Sequence, residues 1–347
     1  MLYEILKLYL FQLEPEKAHQ KIYNILEKLS ENHIFSSLMK WLYNFQNPSL
    51  EKNIWGLTFK NPIGIAAGFD KNAEWINILP LLGFGFMEVG SVTPLPQEGN
   101  PKPRLFRLTK DLALLNRMGF NNQGMICIKK NLQKRKFYDV VIGINIGKNK
   151  NTPNELAYQD YCKCLEYLYE DGDYFVINIS SPNTPHLRDL QKKDALKSLV
   201  EPVQNLNKKL GNKPLLIKIA PDITDENLMH ILEMIKLYEI QGIVATNTTV
   251  HKENLLSYQS EMGDGGISGK PLQNLANQWI QKIRSCSDIP IIGVGGIMTP
   301  EDALAKIHLG ADLLQIYTGF IYYGPYLPRD ICQKILKNKF GSFKISL

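Results

Sequence analysis

Two lysines beside apolar or glycine-rich segments are the first residues that could support chemistry. Lys218 lies inside the apolar run LLIKIA, where a lysine is costly unless its charge meets an anion. Lys71 follows Gly68 in the segment AAGFDKNAE, and a glycine there lets the backbone approach a ligand closely. A lysine three residues after a glycine is also common in surface loops. Gly68 and Lys71 therefore indicate a site only in combination with the other segments. Both lysines predict a site for an anionic ligand.

An amide-rich segment at 116–124, NRMGFNNQG, could contact a polar ligand. Its residues Asn116, Asn121 and Asn122 offer hydrogen-bond donors and acceptors without carrying a charge. That composition suits a planar ligand with amide groups. Asparagine-rich turns have the same composition, so the segment alone does not decide between the two.

A hydroxyl and two further amides occur in the segment 178–188, NISSPNTPHLR. Asn178, Ser181 and Asn183 would project where a strand ends, and the two prolines would stiffen the loop. Ser181 has no neighbouring histidine or acid, and the chain has no G-x-S-x-G motif, which argues against a hydrolase nucleophile. Taken alone, Ser181 is more readily interpreted as an ordinary turn serine than as a catalytic residue.

Glycine-rich segments near the C-terminus indicate a phosphate site. The segments 268–271 (SGKP), 293–297 (GVGGI) and 317–320 (YTGF) hold backbone N–H groups that could surround a phosphate. The residues placed to do so are Gly269, Gly295, Gly296, Tyr317 and Thr318. The pattern is typical of an FMN site and fits a phosphosugar site as well.

Eight short apolar runs must position these residues. Each is nearly continuously hydrophobic, as in parallel strands covered on both faces, and each precedes a stretch with a helical pattern. The runs are 61–67, 86–92, 141–147, 174–181, 214–220, 242–249, 289–296 and 313–319. Thr224 and Thr299 mark the starts of two helices. Eight such units predict an α/β fold, a (β/α)8 TIM barrel; a doubly wound open sheet is disfavoured because polar and glycine residues gather at the end of every run.

The sequence predicts a small N-terminal helical extension in residues 1–45 and the barrel in residues 46–347. The apolar residues of two N-terminal segments recur at helical spacing. They are Leu2, Ile5, Leu6, Tyr9 and Leu10 in the first segment, and Ala18, Ile22, Ile25, Leu26 and Leu29 in the second, which begins at Pro15. These stripes either pack on the barrel or leave an apolar face open to lipid.

Composition limits the classes of function. The chain has 347 residues, 44% of them hydrophobic and 21% charged, enough for a large core. The net charge of +6 fits an anionic ligand or membrane surface and is too small to indicate nucleic acid. The five cysteines include no CxxC pair, so neither a disulfide framework nor a metal site is predicted. No run is long enough to span a bilayer, and the first residues resemble neither a signal peptide nor a mitochondrial presequence.

In combination, these segments resemble those of the dihydroorotate dehydrogenase family, from about residue 1 to 337. The matching segments, in order, are NPIGIAAGFDK, GSVTP, PRLFRL, NRMGFNN, GINIGKNK, NISSPNTP, KIAPD, ATNTT, SGKP, PIIGVGGI and QIYTGF. Soluble members carry a cysteine at the position of Ser181. Serine there resembles the class that passes electrons to a membrane quinone, and the N-terminal helices point the same way.

The resemblance implies oxidation of dihydroorotate to orotate in pyrimidine (UMP) biosynthesis, with FMN as cofactor and Ser181 as the catalytic base. The residues implied for FMN are Ala67, Gly68, Phe69, Asp70, Lys71, Ser91, Asn145, Asn178, Lys218, Thr246, Gly269, Gly296, Tyr317 and Thr318. Those implied for dihydroorotate are Lys71, Asn116, Arg117, Met118, Gly119, Phe120, Asn178, Asn183, Asn247 and Thr248. His19, Arg107 and Tyr317 are implied for a quinone tunnel. Members often carry threonine at Ser91, and the segment 261–266 matches less well and receives no role.

The implied reaction takes a proton from C5 of dihydroorotate and moves a hydride from C6 to flavin N5. Serine alone is a poor base, so Ser181 would need a relay through loop hydroxyls, amides and a water. Lys71 would pair with the substrate carboxylate, and Lys218 would stabilise the reduced flavin. The expected location is the inner face of a bacterial cytoplasmic membrane, as a peripheral protein for which a monomer is favoured.

Two other functions compete with this interpretation. A tRNA dihydrouridine synthase, another FMN barrel, would explain the basic charge, but it predicts a catalytic cysteine and an RNA-binding helical domain after the barrel. A non-catalytic, membrane-docking barrel that binds a phosphorylated ligand would leave Lys71, Lys218 and Ser181 without a role.

Overall fold

Eight parallel strands close into a barrel in the computed structural model, which describes residues 2–341. In chain order the strands are β1 (Lys52–Ile54), β2 (Leu57–Phe59), β3 (Ile63–Ile65), β4 (Phe86–Val92), β5 (Leu105–Leu108), β6 (Ala113–Asn116), β7 (Val141–Ile146), β8 (Tyr174–Asn178), β9 (Leu215–Ile219), β10 (Gly242–Ala245), β11 (Gly266–Gly269), β12 (Ile291–Val294) and β13 (Leu313–Ile316). The helices are α1 (Leu2–Gln12), α2 (Pro15–Ser30), α3 (His33–Tyr43), α4 (Gly124–Leu132), α5 (Ala157–Leu168), α6 (Lys193–Leu210), α7 (Asp225–Leu237), α8 (Gln273–Cys286), α9 (Pro300–His308), α10 (Thr318–Tyr323) and α11 (Leu327–Gly341).

The barrel confirms the predicted architecture. Its strands follow the order β3-β4-β7-β8-β9-β10-β12-β13, and β13 pairs with β3 to close the ring. Each of the eight predicted apolar runs contains one of these strands, so the open-sheet alternative is wrong. The helix starts are confirmed as well. Thr224 Oγ1 accepts the N–H of Asn227 at the start of α7, and Thr299 forms a capping box with Asp302 at the start of α9.

Side chains fill the barrel interior and close it at the amino-terminal ends of the strands. Phe59, Phe86 and Tyr174 are fully buried there, and the rings of Phe59 and Phe86 meet edge to face at 5.3 Å. The hairpin of β1 and β2, which the sequence did not predict, covers this end. Trp55 in its turn donates Nε1–H to the backbone oxygen of Gln241 at 2.7 Å. The result is a packed floor beneath the opposite end, the mouth.

A second sheet lies at the mouth and was not predicted either. Its three strands, β5, β6 and β11, pair antiparallel, with Asn116 opposite both Leu105 and Gly266. Asn116 is therefore the last residue of a strand, although the sequence also allowed an amide-rich turn at that position. The sheet holds Asn116 beside the carboxyl ends of the barrel strands.

Three α-helices and no strand precede the hairpin within the described residues 2–51, as the sequence predicts. Their apolar stripes are divided between two environments: Leu10 and Ala18 are buried, whereas Ile5, Ile25 and Leu29 are exposed. The side chain of Leu2, residue 1 and residues 342–347 of the predicted barrel domain lie outside the described residues. Within residues 2–341, no helix combines the length and the apolar character needed to cross a bilayer.

Candidate active site

A cavity opens where the carboxyl ends of the barrel strands converge. It contains about 1070 Å³ of space between atoms, part of which is open to solvent, and this is large enough for a cofactor and a small ligand. Most of the predicted site residues line it. These are Ala67, Gly68, Lys71, Ser91, Asn116, Met118, Gly119, Phe120, Asn178, Ser181, Asn183, Lys218, Thr246, Asn247, Thr248, Gly269, Gly296, Tyr317 and Thr318.

Lys71 brings a positive charge to this cavity from the loop after β3. Its ammonium donates one hydrogen bond, to the backbone oxygen of Gly68 at 2.6 Å. Burial lowers its pKa to about 8, and the negative charge of Glu16 opposes this lowering. The ammonium is therefore protonated at neutral pH, with further donors available to an anion.

The amides and hydroxyls of the mouth hold one another in place. Asn183 Nδ2 donates to Asn116 Oδ1 at 2.9 Å, and the backbone N–H of Asn183 donates to Ser181 Oγ at 3.2 Å. Asn247 Nδ2 donates to Ser180 Oγ at 2.9 Å. Because these bonds use only part of each amide, hydrogen-bonding capacity remains for a ligand.

A buried carboxylate lies beneath the cavity. Glu88, in the middle of β4, accepts hydrogen bonds from Asn145 Nδ2 at 2.7 Å and from Gln315 Nε2 at 2.6 Å. Lys218 Nζ, from β9, lies 4.0 Å from Glu88 Oε1. Burial lowers the pKa of Lys218, and the charge of Glu88 opposes that effect. Lys218 therefore meets an anion that the protein itself supplies.

Asn145 connects this carboxylate to the cavity wall. Ser91 donates its hydroxyl to Asn145 Oδ1, and Asn178 Nδ2 donates to Ser91 Oγ at 2.8 Å and to Asn145 Oδ1 at 3.0 Å. Ser180 donates its hydroxyl to Asn178 Oδ1 at 2.8 Å. The network fixes the orientation of the Asn178 amide.

Glycine-rich loops after β11, β12 and β13 form another wall. Gly269 and Gly296 have φ values of +91° and +74°, and a Cβ at Gly269 would lie 2.3 Å from the backbone oxygen of Leu112. The hydroxyls of Ser268 and Thr318 share a hydrogen bond of 2.8 Å, which joins two of these loops. Glycine-rich loops of this kind could hold a phosphate, as loops at the mouths of many barrels do.

A family model described as dihydroorotate dehydrogenase matches residues 49–338. The chain belongs to the dihydroorotate dehydrogenase family. Among its relatives, the dihydroorotate dehydrogenase (quinone) of Christiangramia forsetii is 51% identical over 94% of this chain and 96% of the relative. That of Pectobacterium atrosepticum is 43% identical over 96% and 100%. A crystal structure of the Eimeria tenella enzyme in complex with ferulenol matches with a TM-score of 0.81 at 37% identity, covering 89% of this chain and 92% of that one.

Membership of this family decides against the tRNA-modifying and non-catalytic alternatives. Four of the residues implied for FMN and dihydroorotate do not line the cavity, namely Phe69, Asp70, Asn145 and Arg117. Asp70 shapes the loop after β3, because its carboxylate accepts the N–H groups of Glu74 at 2.9 Å and Trp75 at 2.8 Å. Burial raises the pKa of Asp70 to about 6.

The side chain of Arg117 does not line the cavity. Its Nε and one terminal nitrogen donate to the backbone oxygen of Pro103 at 3.2 Å and 2.8 Å, and the other terminal nitrogen donates to that of Met262 at 2.6 Å. Arg117 therefore ties the mouth sheet to the segment 261–266, for which the sequence predicted no role.

Two of the three residues predicted for the quinone tunnel lie along one line of aromatic contacts. The ring of His19, on α2, lies 4.9 Å from that of Phe69 and 5.0 Å from that of Trp75. Burial lowers the pKa of His19 to about 4, so its ring is neutral at physiological pH. Phe69 in turn contacts Tyr317, with the ring centres 5.8 Å apart, and Tyr317 lines the cavity.

Arg107 has a different environment. It donates to the backbone oxygens of Leu13 at 2.7 Å and Leu10 at 3.3 Å, and its guanidinium lies 4.7 Å from the centre of the Phe11 ring. These oxygens are at the end of α1, where carbonyl groups lack partners within the helix. Arg107 thus attaches α1 to β5.

Two supporting residues, Glu88 and Arg188, were missed in the sequence. Glu88 could have been found, because it interrupts the apolar run FMEVGSV just as Lys218 interrupts LLIKIA. Arg188 could not: it donates to the backbone oxygens of Ser180 at 3.0 Å and Thr248 at 2.9 Å and to the carboxylate of Asp222 at 2.8 Å. It joins three strand-end loops, and only the folded chain brings their acceptors together.

The buried pair leads to a test of stability. Glu88→Gln should lower the free energy of unfolding by about 3 kcal/mol, because Lys218 is left buried without its counter-charge. Urea denaturation followed by circular dichroism measures this. Adding Lys218→Met removes the unpaired charge, so the double variant should be more stable than Glu88→Gln alone. If the loss in free energy of unfolding of the double variant equals the sum of the losses in Glu88→Gln and Lys218→Met alone, the pairing is contradicted.

Proposed function

We propose that the protein oxidises dihydroorotate to orotate with FMN and passes the electrons to a membrane quinone, a step of de novo pyrimidine biosynthesis. The observation that carries this proposal is the cavity, where a protonated lysine, a buried serine and several amides surround one space in a member of this family. The relatives named above as quinone-dependent support the same acceptor for this chain.

The chemistry of the cavity wall fits FMN. Thr318 and the loops of Gly269 and Gly296 would hold its phosphate, and Lys218 would face the polar edge of its ring. A Cβ at Gly68 would meet only the Tyr317 ring, at 3.6 Å, so the wall there has room for a flat ligand. FMN, when bound, supplies the acceptor for the substrate hydride and the donor for the quinone.

Dihydroorotate would bind at the Lys71 side of the cavity. The Lys71 ammonium would pair with its carboxylate, and Asn116, Asn183 and Asn247 would bind its ring amides. The Thr248 hydroxyl is buried without a hydrogen-bond partner in the protein, so a bound ligand is available to satisfy it. Holding the substrate in one orientation would supply much of the rate enhancement.

Ser181 would take the proton from C5 of the substrate. Its side chain is buried in the cavity wall, and the N–H of Asn183 fixes its oxygen. Since a serine hydroxyl is a poor base, its proton must move on. The hydroxyl of Thr184 is buried without a partner in the protein and could hold a water that relays this proton.

The helices of residues 1–45 would form the quinone-access and membrane-docking domain, ahead of an FMN-binding catalytic barrel. Ile34, Leu38 and Trp41 recur at helical spacing on α3, and all three are exposed. Such a stripe fits a helix that lies in the membrane interface. Quinone would pass from there along His19 towards Tyr317, with the protein peripheral to the inner face of the cytoplasmic membrane.

The function can be tested by flavin bleaching. Anaerobic addition of dihydroorotate to the purified yellow protein should bleach the flavin absorbance. Ser181→Ala should slow this reduction by a factor on the order of 10², the usual scale for loss of a positioned base, while orotate still binds. Ser181→Cys should retain part of the rate. A rate for Ser181→Ala within a few-fold of wild type would remove this residue from the mechanism.

Lys71 should make orotate affinity depend on pH. The group loses its proton as the pH rises through its pKa of about 8. Burial and the charge of Arg104 lower this pKa, and the charges of Glu16, Asp70 and Glu74 raise it. A carboxylate ligand binds the ammonium better than the amine, so affinity should be constant well below this pKa and fall above it. Titration of flavin absorbance with orotate at several pH values measures the effect.

Arginine provides the matched control for Lys71. Lys71→Arg keeps the positive charge at all these pH values, so the loss of orotate affinity at high pH should disappear. Lys71→Met should bind orotate weakly throughout. If the wild type shows the same affinity on both sides of pH 8, the carboxylate is bound by another group.

Membrane contact should depend on the exposed stripe of α3. Ile34→Gln with Trp41→Gln should weaken binding to anionic liposomes and raise the KM for a long-chain quinone, because these side chains are 81% and 76% exposed and available to lipid. Reoxidation by a small soluble dye should be unchanged. Leu237→Gln, at a 60% exposed position on α7, is the control and should leave both properties intact. Unchanged liposome binding of the double variant would place the contact elsewhere.

A further inference from the structure

The segment 98–104 lies between helix α2 and the loops proposed to bind substrate. Arg104, at its end, forms a two-pronged ion pair with Glu16 of α2: its Nε lies 3.2 Å and 3.1 Å from the two carboxylate oxygens, and a terminal nitrogen lies 2.8 Å from one of them. The two side chains are only 8% and 17% exposed. Burial alone would raise the pKa of Glu16. The hydrogen bonds and the positive charge of Arg104 outweigh this effect, so the pKa is below its usual value and the carboxylate is ionised.

The other side of the Arg104 guanidinium holds the segment itself. Its second terminal nitrogen donates to the backbone oxygens of Glu98 at 2.5 Å and Asn100 at 3.0 Å. A guanidinium is planar and rigid, so the donors that bind Glu16 and those that bind Asn100 cannot move independently. One rigid group thus contacts both Glu16 of α2 and the backbone of Asn100.

Asn100 contacts both substrate loops. Its Nδ2 donates to the backbone oxygens of Arg117 at 3.0 Å and Asn183 at 3.2 Å. The backbone N–H of Asn100 donates to the backbone oxygen of Met118 at 3.0 Å. Asn183 is the residue whose N–H fixes Ser181 Oγ. A continuous path of hydrogen bonds thus runs from α2 to the proposed catalytic loop.

We infer that Arg104 is a positioning residue that couples α2 to the dihydroorotate-binding loops through Glu16 and Asn100. This inference rests on the proposed function and adds a second task to the N-terminal helices. They would supply the path for the quinone and would also order the loop of Asn183 on the side of the cavity that binds dihydroorotate.

The test compares orotate affinity in full-length, FMN-loaded variants. Glu16→Gln removes the charge that holds Arg104, and Asn100→Ala removes the amide that holds the loops. Each should weaken orotate binding on the order of tenfold, as expected for losing a buried hydrogen-bonded contact. The dissociation constant is read from the flavin absorbance at about pH 6.5, below the pKa of about 8 that Lys71 has in the wild type. Lower maximal turnover with unchanged orotate affinity would overturn the inference.

The double variant separates coupling from two local defects. If Arg104 links both sites, either change alone already breaks the path. The dissociation constant of orotate for Glu16→Gln with Asn100→Ala should then be at most about twofold higher than that of the single variant with the lower affinity. Losses that multiply to about a hundredfold would overturn the coupling. These changes are milder than replacing Arg104, and the melting temperature and FMN content confirm that each variant is folded.

Glu14→Gln is the matched control on the same helix. Glu14 pairs with the exposed Lys17 at 3.4 Å and has no contact with Arg104 among the described residues, so orotate affinity should be unchanged. Wild-type affinity in both Glu16→Gln and Asn100→Ala would overturn the inference and leave the proposed function standing. A wild-type protein that binds no orotate would overturn both.

Discussion

A lysine and a glutamate buried side by side in the barrel constrain the residues around them. Burying two charges costs several kcal/mol, and the cost is offset only when further hydrogen bonds satisfy the carboxylate. Asn145 and Gln315 provide those bonds, and the four side chains come from β4, β7, β9 and β13. Only the closed barrel brings these strands together at one level. The cavity wall is hydrogen-bonded to the same group through Asn145, so the surface that faces a ligand is built on this pair.

The loops of the mouth depend on a different device. They contain little regular structure, and arginine side chains bind several of their backbone carbonyls. A guanidinium is suited to this task because it has five donors in a fixed plane. Arg188 joins three strand-end loops, Arg117 ties the mouth sheet to the segment 261–266, and Arg104 attaches α2 to the segment 98–104. The last of these contacts also connects the N-terminal helices to the barrel mouth.

The sequence predicted those features that depend on local patterns. The barrel strands appeared as apolar runs, and Lys218 was noticeable because it breaks one of them. The hairpin around Trp55 was missed, because strands of three residues carry no readable period. The mouth sheet was missed because Asn116 pairs with Gly266, a partner remote in the chain. The surroundings of a side chain such as Arg117, near the site in sequence but not in the cavity lining, are decided by tertiary contacts alone.

The packed floor of the barrel has a consequence for access to its interior. Phe59, Phe86 and Tyr174 are fully buried at the strand starts, so that end of the barrel is filled by side chains. The buried pair of Glu88 and Lys218 is reached from the other end, where Lys218 lines the cavity. A molecule that fills the cavity therefore lies between this pair and bulk water.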